Sequence, residues 1–461
     1  MRWAYGQYSK TYLPRKTYSD QSRKLISEVR HQLNEELKRL EKDRPLVSRI
    51  YAERSNYLIR QIKNEAFIED DSLQRFVDVV FGNIVAVNKL THTPKRVLIL
   101  KSPEVNAFCY GEGTFIITIG LLAKIENESQ LAFAIAHELA HYELDHIHDR
   151  VVQEVELRLS KKTKEELTKL FAGTITIEEI EELRKLIYGL SAFSREKEID
   201  ADSLGFILFK NTAYAQSEAL SLLTVLDSAQ APKFPLNANL FSPFYFSKYP
   251  FQQHWLKKRL NIFSRKDEST LIFSNDSINT HPDIFVRKAK IQSLLAKKDN
   301  PRNQRPDEFV RATIELASFE AVESAYDRKE YDRCMFLALE LLARYPHNDY
   351  LITTVGRLLI DLIQFRNLNT FHFYVPRYTG TYSDALRTVN NFLYNLETNE
   401  MSEVAYHFLN NQSNFKEDVP AHYFLLWKVC GLTYRDEVQE RIKQAYRTKF
   451  NKNIQYFDLG D

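Results

Sequence analysis

The stretch Leu131-Ala132-Phe133-Ala134-Ile135-Ala136-His137-Glu138-Leu139-Ala140-His141 decides how this chain is read: an apolar run that ends in His-Glu-x-x-His. On a helix, side chains four residues apart lie one turn apart on one face. Both imidazoles therefore reach a single ion while Glu138 stands beside it. That is a zinc site in outline. Zinc takes neutral imidazole nitrogens at about 2.0–2.1 Å, and a catalytic site adds a third protein ligand and keeps one position for water. Two histidines are not enough, and three specified residues also recur by accident.

The second half of the site has to come from elsewhere. A metzincin would carry a third histidine six residues after His141, but that position is Ile147, with His146 and His148 on either side of it. The third ligand is then expected to be a downstream carboxylate. Ser194-Arg195-Glu196-Lys197-Glu198-Ile199-Asp200-Ala201-Asp202 offers one, with Glu198 and Asp202 at i and i+4 on a helix. In that arrangement Glu198 binds the metal, and Asp202 accepts the free N–H of a ligating histidine and fixes its tautomer.

With these residues in hand the sequence resembles the HtpX-like and CAAX-prenyl-protease-like zinc metallopeptidases, most closely their soluble BepA-like branch. Two further stretches carry the resemblance. Asn106-Ala107-Phe108, followed by Gly113 to Leu122, is similar to the family's N-A-F strand and G-L-L helix entry. Thr280-His281-Pro282, with Arg287 five residues after the proline, is similar to its late T-H-P…R element. The resemblance covers roughly residues 50 to 295 and rests on four ordered motifs. It implies a gluzincin-type zinc endopeptidase with Glu138 as general base. It also implies that His281 approaches the zinc, either to stabilise the oxyanion or to occupy the fourth position as a reversible inhibitory ligand. The strand at Asn106, Ala107 and Phe108 would hold an extended substrate through backbone hydrogen bonds.

Composition bounds the rest. The chain has 461 residues, 44 % of them hydrophobic, enough for two or three domains with their own cores. Lys and Arg number 63 against 61 Asp and Glu, a net charge of +2 spread along the chain, so a nucleic-acid partner has no support. Three scattered cysteines, Cys109, Cys334 and Cys430, build neither a disulfide framework nor a cysteine metal site, and Cys109 reads as a small buried packing group. No apolar run reaches the ~18 residues of a membrane span, and Met1 to Gln7 lack the apolar core of a secretory signal. The resemblance favours the periplasm or cell envelope. Composition leaves the cytoplasm equally open.

Along the chain, residues 1 to about 20 read as an extended arm. Leu25, Val29, Leu33, Leu37 and Leu40 give a helix stopped by Pro45. A second helix runs from Asp70 through Val87, Arg96 to Leu100 is a strand, and two strands pair through Gly111-Glu112-Gly113. Leu131 to His148 forms the active-site helix, from which His146 points away as a structural hydrogen-bond partner. Asp145 lies on the His141 face as a lesser support. Ser160 to Glu182 is a charged insertion, read as solvated helices or a lid. Ala231 to Tyr249 is a proline- and aromatic-rich loop that is expected to pack or to line the groove. From Arg305 only helices are expected, and Ala325 to Leu339 with Tyr345-Pro346 resembles a tetratricopeptide helix pair.

The expected fold class is α+β, mainly helical. An N-terminal arm and helix (1–49) precede a gluzincin-type metallopeptidase domain with a small sheet (50–300) and an all-α tetratricopeptide-like domain (301–461). The expected function is zinc-dependent cleavage of extended or unfolded polypeptides in protein quality control, with one zinc per chain on His137, His141 and Glu198 and a protein partner on the repeats. The alternative is a chaperone-like or scaffold protein with a latent or structural zinc site.

Overall fold

The computed structural model describes residues 19–39, 45–159, 195–229, 231–233, 240–257, 284–295, 307–377 and 382–450. They fall into two units. The described residues of Arg15–Ala229 and Asn261–Ile314 form one, and those of Gln230–Leu260 and Glu315–Asp461 form the other.

The first unit opens with helices α1 (Ser19–Arg39) and α2 (Pro45–Lys63), which pack together. Helix α1 ends before Pro45, as expected, and Pro45 also begins the next helix. At the first helical position its missing N–H costs nothing and its fixed φ suits the turn, so the proline that ends one pattern starts a helix the periodicity reading passed over. After β1 (Phe67–Ile68), helix α3 (Asp71–Val87) is capped by Asp70, whose carboxylate accepts from the backbone N–H of Ser72 and Leu73. Strands β2 (Arg96–Leu100), β3 (Ala107–Gly111) and β4 (Thr114–Thr118) complete a sheet of order β1-β2-β4-β3. The pairs β1/β2 and β3/β4 are antiparallel and β2/β4 is parallel. The β3–β4 turn needs Gly111 at φ +116° and Gly113 at φ +78°. Strand β3 is left at the edge of the described sheet.

Thr118 closes β4 and caps the short helix α4 (Ile119–Lys124), and α5 (Glu128–Glu143) follows. Every residue of α5 from Ser129 to His137 is buried, which is why this helix is apolar on all sides rather than along one stripe. It packs on β3, α3 and α8 (Glu218–Asp227). Phe133, 1 % exposed, meets Phe206 and Phe209 of helix α7 (195–210), a burial contributing roughly 1.5–3 kcal/mol. The expected helix from Leu131 to His148 is two helices: Asp145 takes a left-handed φ of 52°, and α6 (His146–Leu159) starts afresh. Helix α9 (Ile284–Leu294) packs against α8.

The second unit is helical among its described residues: most of α10 (Glu308–Asp327), then α11 (Tyr331–Arg344), α12 (Asp349–Asn367), α13 (Phe371–Tyr374), α14 (Asp384–Asn395), α15 (Thr398–Leu409), α16 (Pro420–Leu432) and α17 (Asp436–Phe450). Sequential neighbours α11/α12, α15/α16 and α16/α17 pack together, as does α12 with α15. The aromatic loop is used in this core. Phe244 stacks on Phe392 and Phe241 meets the same ring at a tilt, Trp255 donates its indole N–H to Glu400 at 3.0 Å, and Asn395 donates to the carbonyls of Trp255 and Lys257. Those rings are core packing, as one of the two expectations for this loop had it; its residues 234–239 lie outside the described residues.

Candidate metal centre

Asn127 caps α5 by accepting from the N–H of Gln130, and the buried stretch that follows delivers His137 and His141 on its last two turns with Glu138 half-buried between them. Helix α7 supplies the rest of the site because Gly205 lets it come close. A Cβ at Gly205 would sit 2.9 Å from the Cα of His137 and 3.2 Å from the carbonyl oxygen of Ala136. With that contact made, Asp202 and Glu198, about one and two turns earlier, lie alongside the histidine pair.

His137 Nε2 and His141 Nε2 are 3.1 Å apart, and the two oxygens of Glu198 lie 3.5 Å from the first and 3.4 Å from the second. Among the described residues these three form a group able to hold a metal ion. The donor types suit zinc. Ligands at 2.0–2.1 Å from a tetrahedral ion stand about 3.3 Å from one another, and that is the spacing found. Burial opposes charge on His137, but the carboxylates of Asp202 and Glu198 outweigh it and raise the imidazole to about 10. The pocket is built to attract positive charge, whether a proton or a metal.

Asp202 is wholly buried. One of its oxygens lies 3.0 Å from His137 Nδ1, although the ring N–H is not aimed squarely at it. Both oxygens accept from Arg287, at 2.8 Å from Nε and 2.7 Å from Nη2. Burial works against the Asp202 charge, but the guanidinium and His137 hold its carboxyl below the ordinary range. Sequence reading had Arg287 only as the end of a motif; here it is the clamp on the carboxylate behind His137.

His146 is the second residue whose place the sequence reading misjudged. On an unbroken helix a residue five positions on is rotated about 140° away, which is why it was expected to point off the pair. The break at Asp145 turns the chain back, and His146 Nδ1 lies 2.9 Å from His141 Nδ1. Burial first, then His141 and Lys197 beside it, lower His146 to about 4, so it is neutral at neutral pH. Asp145 itself, expected near His141, pairs with His92 at 3.4 Å. Its backbone makes the turn and its side chain is spent elsewhere.

Glu138 Oε2 accepts the backbone N–H of Cys109 at 3.0 Å, so the edge strand and the carboxylate touch. By strand alternation the backbone of Ala107 faces the same open edge as that of Cys109, while Phe108 turns toward β4. Asn106 donates its N–H to Thr118 Oγ1, its carbonyl accepts from the Thr118 amide, and the residue is exposed. The Phe108 ring packs on the α1–α2 core. Cys109 is buried and desolvation pushes its thiol well up, as a packing residue requires. His281 and the 160–182 insertion lie outside the described residues.

Comparison with known proteins agrees with this geometry. Residues 69–295 match peptidase family M48. The beta-barrel assembly-enhancing protease of Escherichia coli (strain K12) is 21 % identical over 315 residues, which cover 64 % of this chain and 59 % of that protein. The mitochondrial metalloendopeptidase OMA1 of Arabidopsis thaliana is 22 % identical over 152 residues, 33 % of this chain and 30 % of that one. The putative beta-barrel assembly-enhancing protease of Vibrio cholerae is 30 % identical over 84 residues, 18 % and 17 % of the two chains. The match to the first of these spans about three fifths of the relative's length. His137, Glu138, His141, Glu198, Asp202 and Arg287 all fall inside the matched stretch, so every residue of the centre lies where this chain is similar to peptidase family M48.

Proposed function

We propose that this protein is a zinc-dependent endopeptidase acting on extended or unfolded polypeptides in protein quality control. One zinc per chain would be held by His137, His141 and Glu198. The observation that carries the reading is the 3.1–3.5 Å triangle of donor atoms, with Glu138 beside it. Bound zinc supplies a Lewis acid that polarises the scissile carbonyl and brings the pKa of a water toward about 7. Glu138, beside the three donors, would serve as general base for the attacking water and would return the proton to the leaving amine.

The substrate class follows from β3. An extended segment adds to an open strand edge by main-chain hydrogen bonds, which fit almost any sequence and reject a compact fold. Ala107 and Cys109 offer backbone groups on that edge, and Cys109 already holds Glu138. The strand that would align a substrate therefore also orients the base. His281, by its motif, is proposed to serve this centre as oxyanion donor or resting ligand.

The test is metal analysis of purified protein with a casein-type cleavage assay, with and without chelator. About one zinc per chain is expected, with cleavage lost on chelation and restored by zinc. Glu138→Gln should keep the zinc and lose cleavage, because it removes a base and not a ligand. Cleavage at the wild-type rate by that variant would refute the assignment. A second reading, a chaperone-like or scaffold role with a protein partner on the helical unit, is favoured by a cavity of about 360 Å³ lined by Tyr326, Arg357, Asp361, Phe424 and Lys428. Retained partner binding by Glu138→Gln, with no protease activity in the wild type, is its expected signature.

A further inference from the structure

We propose that His146 is a positioning residue for the metal centre: it accepts the Nδ1–H of His141 and thereby holds that ring with its Nε2 lone pair toward the ion. The inference rests on the zinc reading above and adds a residue to it. For both histidines to bind through Nε2, both must carry their protons on Nδ1, and each Nδ1–H needs an acceptor. His137 faces one in Asp202, whose oxygen lies 3.0 Å from its Nδ1 though off the line of the ring N–H, and which Arg287 clamps. Among the described residues no carboxylate stands at the Nδ1 of His141. The group at its Nδ1 is the Nδ1 of His146, at 2.9 Å, in a residue only 7 % exposed. That contact is a hydrogen bond only if one nitrogen carries the proton and the other offers a lone pair. Metal binding through His141 Nε2 fixes the choice: His141 donates, and His146 is the Nε2–H tautomer.

The fold goes to some length to hold His146 in place. The left-handed residue Asp145 reverses the chain, Lys197 on α7 donates to Asp149 on α6 at 2.7 Å, and Tyr51 on α2 meets His148 Nδ1 at 3.3 Å. Helix α6 is thus tied to the helix that carries Glu198 and to α2. The two ligand histidines are supported unequally, one by a charged carboxylate and one by a neutral ring. A carboxylate raises a ligand's basicity more than a neutral acceptor does, so His141 is the weaker donor and depends more on orientation.

The experiment compares His146→Asn with His146→Leu. Asn places its Oδ1 close to where the ring Nδ1 stands and keeps an acceptor; Leu keeps bulk and removes it. Zinc affinity would be read by competition with a chelator of known strength, alongside the melting temperature of each metal-free protein. The His141 Nδ1–H resonance would be followed in zinc-loaded, ¹⁵N-histidine-labelled protein. Leu is expected to weaken zinc about 10–100-fold and to lose the protected resonance, while Asn stays near wild type in both. Should His146→Leu fail to fold, His146→Ala takes its place as the variant without an acceptor. Equal weakening by Asn and Leu, or no weakening by either, overturns the proposal. A wild-type protein that binds no zinc overturns the function reading instead, and the two failures are told apart by the wild-type titration alone.

Discussion

Arg287→Ala tests the centre from behind, through a residue expected to touch no metal. The guanidinium makes two hydrogen bonds to Asp202, at 2.7 and 2.8 Å, with side-chain exposures of 9 % and 0 % for the pair, so little solvent screens it. Removing one partner of such a pair leaves a buried carboxylate with only His137 to offset it, a loss of about 3–5 kcal/mol. At about 2–4 °C per kcal/mol for a unit of this size, the metal-free melting temperature should fall by roughly 6–20 °C. Asp202 would also lose the group that aims it at His137, which should loosen zinc about 10–100-fold. Excess zinc should return part of the lost stability by mass action, because it binds the native state alone. Arg287→Lys should recover only a fraction, since an ammonium keeps the charge and cannot make the paired contact. The assay is a thermal melt with and without zinc, plus a chelator competition. A loss below about 1 kcal/mol, the size of an exposed ion pair, would show that the Arg287–Asp202 contact is not the buried clamp described here.

Three other outcomes are expected. Gly205→Ala puts a methyl 2.9 Å from the His137 Cα, where backbone cannot yield, so it should destabilise by about 1–3 kcal/mol and weaken zinc, and an unchanged melt and affinity would contradict the close approach of α7 to α5. In metal-free protein His137 is raised to about 10 from an ordinary value near 6.5, so the stability it contributes is complete below about pH 6.5 and is lost as pH rises through about 10. Melting temperature should therefore decline over that window in wild type and not in His137→Gln, and a flat wild-type profile would refute it. His281→Ala should raise cleavage if His281 occupies the fourth position at rest and lower kcat by roughly 10²–10³ if it donates to the oxyanion; a neutral result would refute both roles.

What the sequence revealed and what it hid divide along one physical line. Spacing on a regular element was legible: His137 and His141 at i and i+4, Glu198 and Asp202 at i and i+4, and the two strands paired through Gly111-Glu112-Gly113 all lie where period and turn chemistry put them. The errors came where the chain leaves its period. Asp145 carries no strong left-handed signal, since the residues most often found at φ > 0 are glycine and asparagine, and treating it as helical turned His146 and Asp145 to the wrong sides. Pro45 was read for what it forbids rather than what it permits. The aromatics of residues 240–257 could not be assigned to a core from sequence because their partners, Phe392 and Phe408, lie about 150 positions away.

The same line explains the layout of the centre. Residues expected to touch the ion come from regular helix, where one short motif fixes their mutual geometry. The groups that orient those residues come from outside those motifs: His146 from beyond a helix break, Arg287 from a helix 85 residues after Asp202, and the Cys109 amide from a strand 29 residues before Glu138. A motif of three residues can thus name a metal site and still leave its strength undetermined, because an acceptor behind each ligand alters affinity by about 10–100-fold without changing the ligand set. Two M48 chains with identical His-Glu-x-x-His and glutamate ligands should then differ in zinc affinity according to what stands behind the second histidine. Exchanging only that acceptor between them, and nothing that contacts the ion, should carry the difference across.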